Sequence, residues 1–236
     1  MVTVCPVSDL DAIASAAAEK IVGLCQSAAK DGGVTGDGTV RIVLTGGGAG
    51  IRTLEKLVDA PINWSRVHVF FGDERNVPVT DPESNEGQAR QALLNHIDIP
   101  EENIHGYRLG ELTLSDAVEE YTQVLHNYAP QGFDLHLLGM GGEGHINSIF
   151  PHTEAAVEET RLVIPVTDSP KPPAERATLT FPAIARAQRV WLLVAGAEKA
   201  EAAHHVAAGA NPLDWPAAGA RGIQETLLIV AQDAAP

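Results

Sequence analysis

Phe133-Asp-Leu-His-Leu-Leu-Gly-Met-Gly-Gly-Glu-Gly-His-Ile-Asn-Ser-Ile-Phe-Pro151 decides how this chain is read. Phe133 to Leu138 has the length and composition of a buried strand. The run then breaks into glycines, and Glu143 and His145 follow the break. A candidate acid/base pair thus stands at a strand's carboxyl end, where open α/β sheets hold their ligands.

The same pattern recurs on either side. Val40 to Leu44 reads as a strand ended by Gly46-Gly-Gly48, with helical spacing through Leu54, Leu57 and Val58. Val67 to Phe71 is a strand ended by Gly72-Asp-Glu-Arg75. Arg189 to Val194 is a strand ended by Gly196-Ala-Glu-Lys199, with an Ala-rich helix after it, and Thr226 to Ala231 reads as the last strand. Residues 9–30, 84–95 and 114–128 read as helices, the first with Ser8 or Asp9 as its N-cap. Short aliphatic runs alternating with helices predict an α/β, Rossmann-like fold: a mostly parallel sheet with helices on both faces. Right-handed crossovers then bring all the strand exits to one rim. No repeat or long linker is present, so residues 1–236 are expected to form a single domain.

The formal net charge of −15 argues against nucleic-acid or anionic-membrane partners, which need a basic face. A small anionic substrate remains open to it, given a local cluster of cations and backbone N–H groups. No apolar run nears the roughly 20 residues of a membrane span. The two cysteines, Cys5 and Cys25, lack metal-ligand spacing and read as free thiols of a cytoplasmic protein.

Several chemistries lack their signature. Gly139-Met-Gly-Gly-Glu-Gly144 matches a dinucleotide fingerprint, with Glu158 and Glu159 further on, but Pro151 leaves no room for the long helix which that motif opens. There is no Walker loop, no G-x-S-x-G elbow and no H-E-x-x-H. His204 and His205 are adjacent on a helix and point apart, while His96, His105 and His126 read as surface residues. No metal and no cofactor are expected.

His145 is the best candidate general base, since an imidazole titrates near neutrality. Glu143 or Asp73 would orient it, and Ser148 is a possible loop partner. The glycines of Gly46, Gly47 and Gly48 lead into a helix N-terminus, a setting that favours a phosphate. Lys199 also begins a helix, where a cation is disfavoured unless an anion lies beside it. Arg75, Lys171 and Arg176 are further cations near these loops.

Together the segments Phe70-Phe-Gly-Asp-Glu-Arg-Asn-Val-Pro78 with Ser84-Asn85, Phe133 to Pro151, Lys171 to Pro182 and Gly196-Ala-Glu-Lys-Ala200 resemble the 6-phosphogluconolactonase family. That family belongs to a wider group that includes glucosamine-6-phosphate deaminase. The resemblance implies hydrolysis of 6-phospho-D-glucono-1,5-lactone to 6-phosphogluconate, the second step of the oxidative pentose phosphate pathway, without a cofactor. It places the catalytic histidine on His145, in a G-x-[DE]-G-H loop whose acidic position, often Asp, is Glu143. It places the family's Asp and Arg on Asp73 and Arg75 and its lysine on Lys199. The usual Ser-Gly-Gly-Ser-type phosphate loop is Thr45-Gly-Gly-Gly48 here.

The deaminase pattern has a Glu five residues after the histidine and a Tyr at the position of Arg75. This chain has Phe150 and Arg75, which favours the lactonase. In the expected reaction the 6-phosphate docks on Gly46–Gly48 with Lys199 and Arg176 beside it. His145 deprotonates the attacking water, and Arg75 or backbone N–H groups hold the oxyanion. The alternatives are a sugar-phosphate isomerase or deaminase and a non-catalytic sugar-phosphate sensor.

Overall fold

Residues 1–236 are described by a computed structural model. In chain order the elements are β1 (Thr3–Val7), α1 (Leu10–Asp31), β2 (Val40–Leu44), α2 (Gly47–Glu55), β3 (Val67–Phe71), β4 (Asp73–Arg75), α3 (Asn85–Ala92), β5 (Ile104–His105), α4 (Leu114–Tyr128), β6 (Phe133–Gly139), β7 (Val163–Val166), β8 (Arg176–Leu179), α5 (Phe181–Ile184), β9 (Ala187–Val194), α6 (Ala200–Ala208) and β10 (Glu225–Ala231). Seven strands form one sheet in the order β1-β10-β9-β6-β2-β3-β5, and every pair in it is parallel. β2 is buried along its whole length, and so is β6 up to Gly139. Burial on both faces is why these strands are continuous apolar runs rather than alternating ones.

The strand order sets the site. From β2 the chain winds to β3 and β5 on one side; from β6 it winds to β9 and β10 on the other. β2 and β6 are neighbours, so the winding reverses between them, and a crevice opens beyond their carboxyl ends. The Thr45 hydroxyl accepts a hydrogen bond from Gly139 N at 2.9 Å, tying the two exits together.

Several elements depart from the sequence reading. A strand, β1, precedes the expected first one; Pro6 within it is tolerated because β1 lies at the sheet edge. Gly72-Asp-Glu-Arg75 is not a simple loop. Asp73–Arg75 pairs antiparallel with β8, which pairs with β7, to form a second three-stranded sheet. Gly72 is the pivot: its N–H donates to Leu44 O in the large sheet, and its carbonyl accepts from Leu179 N in the small one. No helix follows Gly139 until the short turn at Glu154–Val157, so the dinucleotide reading has no structural counterpart. His105 is buried rather than on the surface, stacked on Phe70 and facing His68 Nδ1 at 2.8 Å.

The helices begin as their caps dictate. Asp9, the second of the two candidates, caps α1 by accepting from Ala12 N, and Ser84 caps α3 by accepting from Gly87 N. Glu74 does more. Its buried carboxylate accepts from Arg75 N, Asn85 N and Glu86 N, each at 2.8 Å, and from Ser84 Oγ at 2.9 Å. Burial raises its pKa to about 7, against the pull of those four donors. No helix is long and apolar enough to cross a membrane, and Cys5 and Cys25 are both free.

Two predictions follow from these buried groups. Glu74→Gln puts an amide N–H₂ against donors and should cost about 2–4 kcal/mol of stability in urea unfolding. A loss within experimental error would remove Glu74 as the clamp between β4 and α3. Separately, His136 is fully buried, and burial pushes its pKa down to about 3; burial likewise lowers His105 to about 4. Unfolded histidines bind protons near pH 6.5 and these folded ones do not, so stability should fall as pH drops from about 6.5 towards 4. His136→Leu should flatten that fall, as read by urea midpoints across pH.

Candidate active site

One cleft of about 160 Å³ opens over the β2/β6 switch and is lined by Thr45, Gly46, Gly47, Gly48, Ala49, Asp73, Arg75, Asn85, Gly139, Met140, His145, Asn147, Arg176, Leu193 and Lys199. Every expected site residue except Glu143 lines it, and Glu143 stands just behind His145.

At one lip, α2 starts at Gly47 and its N-cap, Gly46, has no side chain to cap it, so the first amides of the helix are free for an anion. Gly46 is required to be small: a Cβ there would lie 2.3 Å from Asn85 Oδ1. Lys199 is the residue before α6 and has no side-chain cap or carboxylate partner. Arg75 points its buried Nε at no acceptor, while its Nη1 donates to Glu83 O at 2.5 Å.

Arg176 is 4% exposed. Its Nε donates to Pro173 O at 3.0 Å, and its Nη2 to Lys171 O and Pro172 O at 3.0 and 3.2 Å. Only Nη1 turns to the cleft, 3.5 Å from Ser148 Oγ and 4.0 Å from Asp73 Oδ2. Arg176 is therefore first a clamp on the 171–173 backbone. The three cations Arg75, Arg176 and Lys199 face one carboxylate, Asp73, so the lining carries a formal charge of +2. The site is positive inside a strongly acidic chain.

At the other lip the loop Gly139–His145 turns tightly: Gly141 N donates to His145 O, and Gly144 N to Gly141 O, each at 3.0 Å. A Cβ at Gly141 would lie 2.1 Å from His145 Nδ1, so the ring itself forbids a side chain there. The imidazole stacks on buried Phe150, with ring centroids 4.4 Å apart. Glu143 Oε1 lies 3.1 Å from Nδ1, within ion-pair reach, yet the contact is not a well-aligned hydrogen bond. Lys171 Nζ sits 2.8 Å from the same oxygen.

The carboxylates have separate tasks. Asp73 accepts from Ser148 Oγ at 2.6 Å and from Asn85 Nδ2 at 3.1 Å, and it is Glu143 that reaches the imidazole. Ser148, the possible partner of His145, is thus committed to Asp73. Burial lowers the pKa of His145, and Lys171 adds to this; Glu143 and Asp73 oppose it. The net effect keeps the ring neutral at neutral pH, as a base must be. Burial raises the Glu143 carboxyl, but its hydrogen bond from Lys171 and the nearby His145 outweigh that and hold it below its ordinary value.

Asn85 and Asn147 were not among the expected site residues. Asn147 reaches the cleft from a backbone with φ +48°, in the left-handed region that Asn tolerates. Both asparagines fall within segments that carry the family resemblance, Ser84-Asn85 and Phe133 to Pro151, but the resemblance assigns neither a role.

Known proteins resemble this chain in sequence and in fold. Residues 8–229 match the family described as glucosamine-6-phosphate isomerases/6-phosphogluconolactonase. The chain is 49% identical over 238 residues to a 6-phosphogluconolactonase of Mycobacterium tuberculosis, covering 96% of this chain and 94% of that one. It is 40% identical over 213 residues to one of Streptomyces coelicolor, covering 84% and 82%. The crystal structure of a 6-phosphogluconolactonase from Thermotoga maritima superposes with a TM-score of 0.86 at 29% identity, over 98% of this chain and 100% of that one. A monomeric glucosamine-6-phosphate deaminase shares the fold, with a TM-score of 0.83 at 19% identity over 98% of each chain. The chain belongs to the glucosamine-6-phosphate isomerase/6-phosphogluconolactonase family.

Proposed function

We propose that this chain is a lactonase that hydrolyses 6-phospho-D-glucono-1,5-lactone to 6-phospho-D-gluconate in the oxidative pentose phosphate pathway. The observation that carries the reading is the pairing, in one cleft, of an uncapped helix start flanked by Lys199 with a neutral, stacked His145. The relatives named 6-phosphogluconolactonase support the substrate class. Residues 1–236 act as one unit, since the sheet draws strands from Thr3–Val7 through Glu225–Ala231. The two free thiols fit a reducing compartment such as the cytoplasm.

The 6-phosphate docks on the amides of Gly46, Gly47 and Gly48, with Lys199 and the cleft-facing Nη1 of Arg176 neutralising its charge. Glu143 lies on the Nδ1 side of His145, so Nε2 faces the substrate. It takes a proton from water as the water oxygen attacks the lactone carbonyl carbon. Charge gathers on the former carbonyl oxygen, and Arg75 has donors to spare for it. Collapse of the tetrahedral intermediate breaks the bond to the ring oxygen, which receives the proton back from the imidazolium.

Phe150 separates this reading from the deaminase one. It fills, with a ring that cannot carry a proton, the position where the deaminase pattern has an acid. The decisive assay generates the lactone in situ with glucose-6-phosphate dehydrogenase and compares 6-phosphogluconate formation with the spontaneous rate. Acceleration is expected, with no ammonia released from glucosamine 6-phosphate; the reverse result would overturn the assignment.

His145→Ala should lower kcat by roughly 10²–10⁴-fold with folding intact. Near-full activity in that variant would exclude His145 as the base. Lys199→Ala should act mainly on KM, because a phosphate contact far from the carbonyl binds ground state and transition state alike. An unchanged KM would take Lys199 out of the phosphate site.

A further inference from the structure

The Nδ1 atom of His145 is buried and has a carboxylate oxygen 3.1 Å away, yet the two do not form a well-aligned hydrogen bond. A buried polar atom left unpaired beside an available acceptor needs a cause. Glu143 is shared. Lys171 Nζ holds Oε1 at 2.8 Å and Oε2 at 3.1 Å, so both carboxylate oxygens are engaged by the ammonium. Lys171 is in turn held in place. Its carbonyl accepts from Arg176 Nη2 and from Ser169 Oγ, each at 3.0 Å, and the same guanidinium grips the next two carbonyls. Its ammonium also lies 6.0 Å from the centre of the Phe150 ring, the ring on which His145 stacks.

We propose that Lys171 is a positioning residue: it draws Glu143 off the N–H axis of His145 and so prevents a full Glu143–His145 hydrogen bond in the free protein. Such a bond would favour the imidazolium and take the base out of use on the acid side of neutrality. Lys171 thus extends the pH range in which the base is available. The other charges around His145 are Asp73 and Arg75 from β4, Arg176 from β8 and Lys199 ahead of α6. Asp73 is committed to Ser148 and Asn85, so Glu143 is the carboxylate whose placement is adjustable.

The role of His145 as base rests on the lactonase reading; the placement of Glu143 does not, and the test separates them. Lys171→Met removes the charge and keeps an apolar stem of similar length. In NMR titrations of histidine-labelled protein, which need no turnover, the His145 midpoint should move to higher pH by about half a unit, and a low-field Nδ1–H resonance should appear. In kcat/KM profiles the acid limb should move the same way, about threefold in rate on the limb. Lys171→Arg should restore the original limb. In a Glu143→Gln background the effect of Lys171→Met should shrink by at least about half, since the route through the carboxylate is gone.

An unmoved His145 midpoint in Lys171→Met overturns the proposal. So does a rise in KM with the limb in place, which would make Lys171 a substrate contact. An equal shift with and without Glu143 also overturns it, because Lys171 would then act on the ring only through space. A shifted midpoint in a protein without lactonase activity would leave the positioning intact and refute the lactonase reading.

Discussion

Two neighbouring parallel strands whose chains depart in opposite directions cannot both have their exits covered by the connections that follow. β2 leads towards β3 and β5, β6 towards β9 and β10, and the space above their shared carboxyl edge is left open. The rest of the site hangs on that edge. α2 starts there with its amides unspent, the His145 loop starts one strand over, and the bond from Gly139 N to Thr45 Oγ1 holds the two at fixed separation. A third wall comes from the small sheet. Its first strand alternates, so Asp73 and Arg75 face the cleft while Glu74 turns away into the N-terminus of α3. Three of the donors on Glu74, from Ser84, Asn85 and Glu86, fix β4 to the start of α3 and thereby fix the two side chains on either side of it.

The electrostatics work on two scales. At a distance the chain is an acidic particle, but at physiological ionic strength fields between exposed charges fade over about 8 Å. Inside the cleft three cations face one carboxylate, and a helix start adds its own partial charge. The cleft is thus a locally positive place on a molecule of negative overall charge, as the proposed phosphate site requires. The imidazole is tuned separately. His145 owes its neutrality first to burial, with Phe150 against its face and Glu143 only partly available to it. In the proposed reaction, phosphate binding centres on the α2 start and Lys199 and base chemistry on His145, with Arg176 touching both through its Nη1 and its clamp on the 171–173 backbone.

Much of this was legible in the sequence, for physical reasons. Strands buried on both faces must be apolar throughout, so β2, β3, β6, β9 and β10 announced themselves, and the parallel sheet followed. β4 did not, because Asp73-Glu-Arg75 is wholly charged and becomes a strand only by pairing with β8, roughly a hundred residues away. β1 and β5 are edge strands, too short or too mixed to stand out. Expected site residues clustered because glycine-rich exits of parallel strands share a rim. Roles that depend on direction did not show. Nothing local indicated that Arg176 spends most of its donors on the 171–173 carbonyls, or that Glu143 rather than Asp73 reaches the imidazole. Asn85 and Asn147 join the cleft by backbone placement alone, and His105 is buried by Phe70 and Tyr128, both far from it in sequence.

The central claim is that the crevice binds one sugar phosphate end to end, phosphate at the α2 start and reacting carbon at His145. A crystal structure with the product 6-phosphogluconate tests this most directly. The account predicts the phosphate within hydrogen-bond reach of the Gly46–Gly48 amides and Lys199, with the C1 carboxylate beside His145 Nε2 and Arg75. A product bound the other way round, or with its carboxylate away from His145, would contradict it.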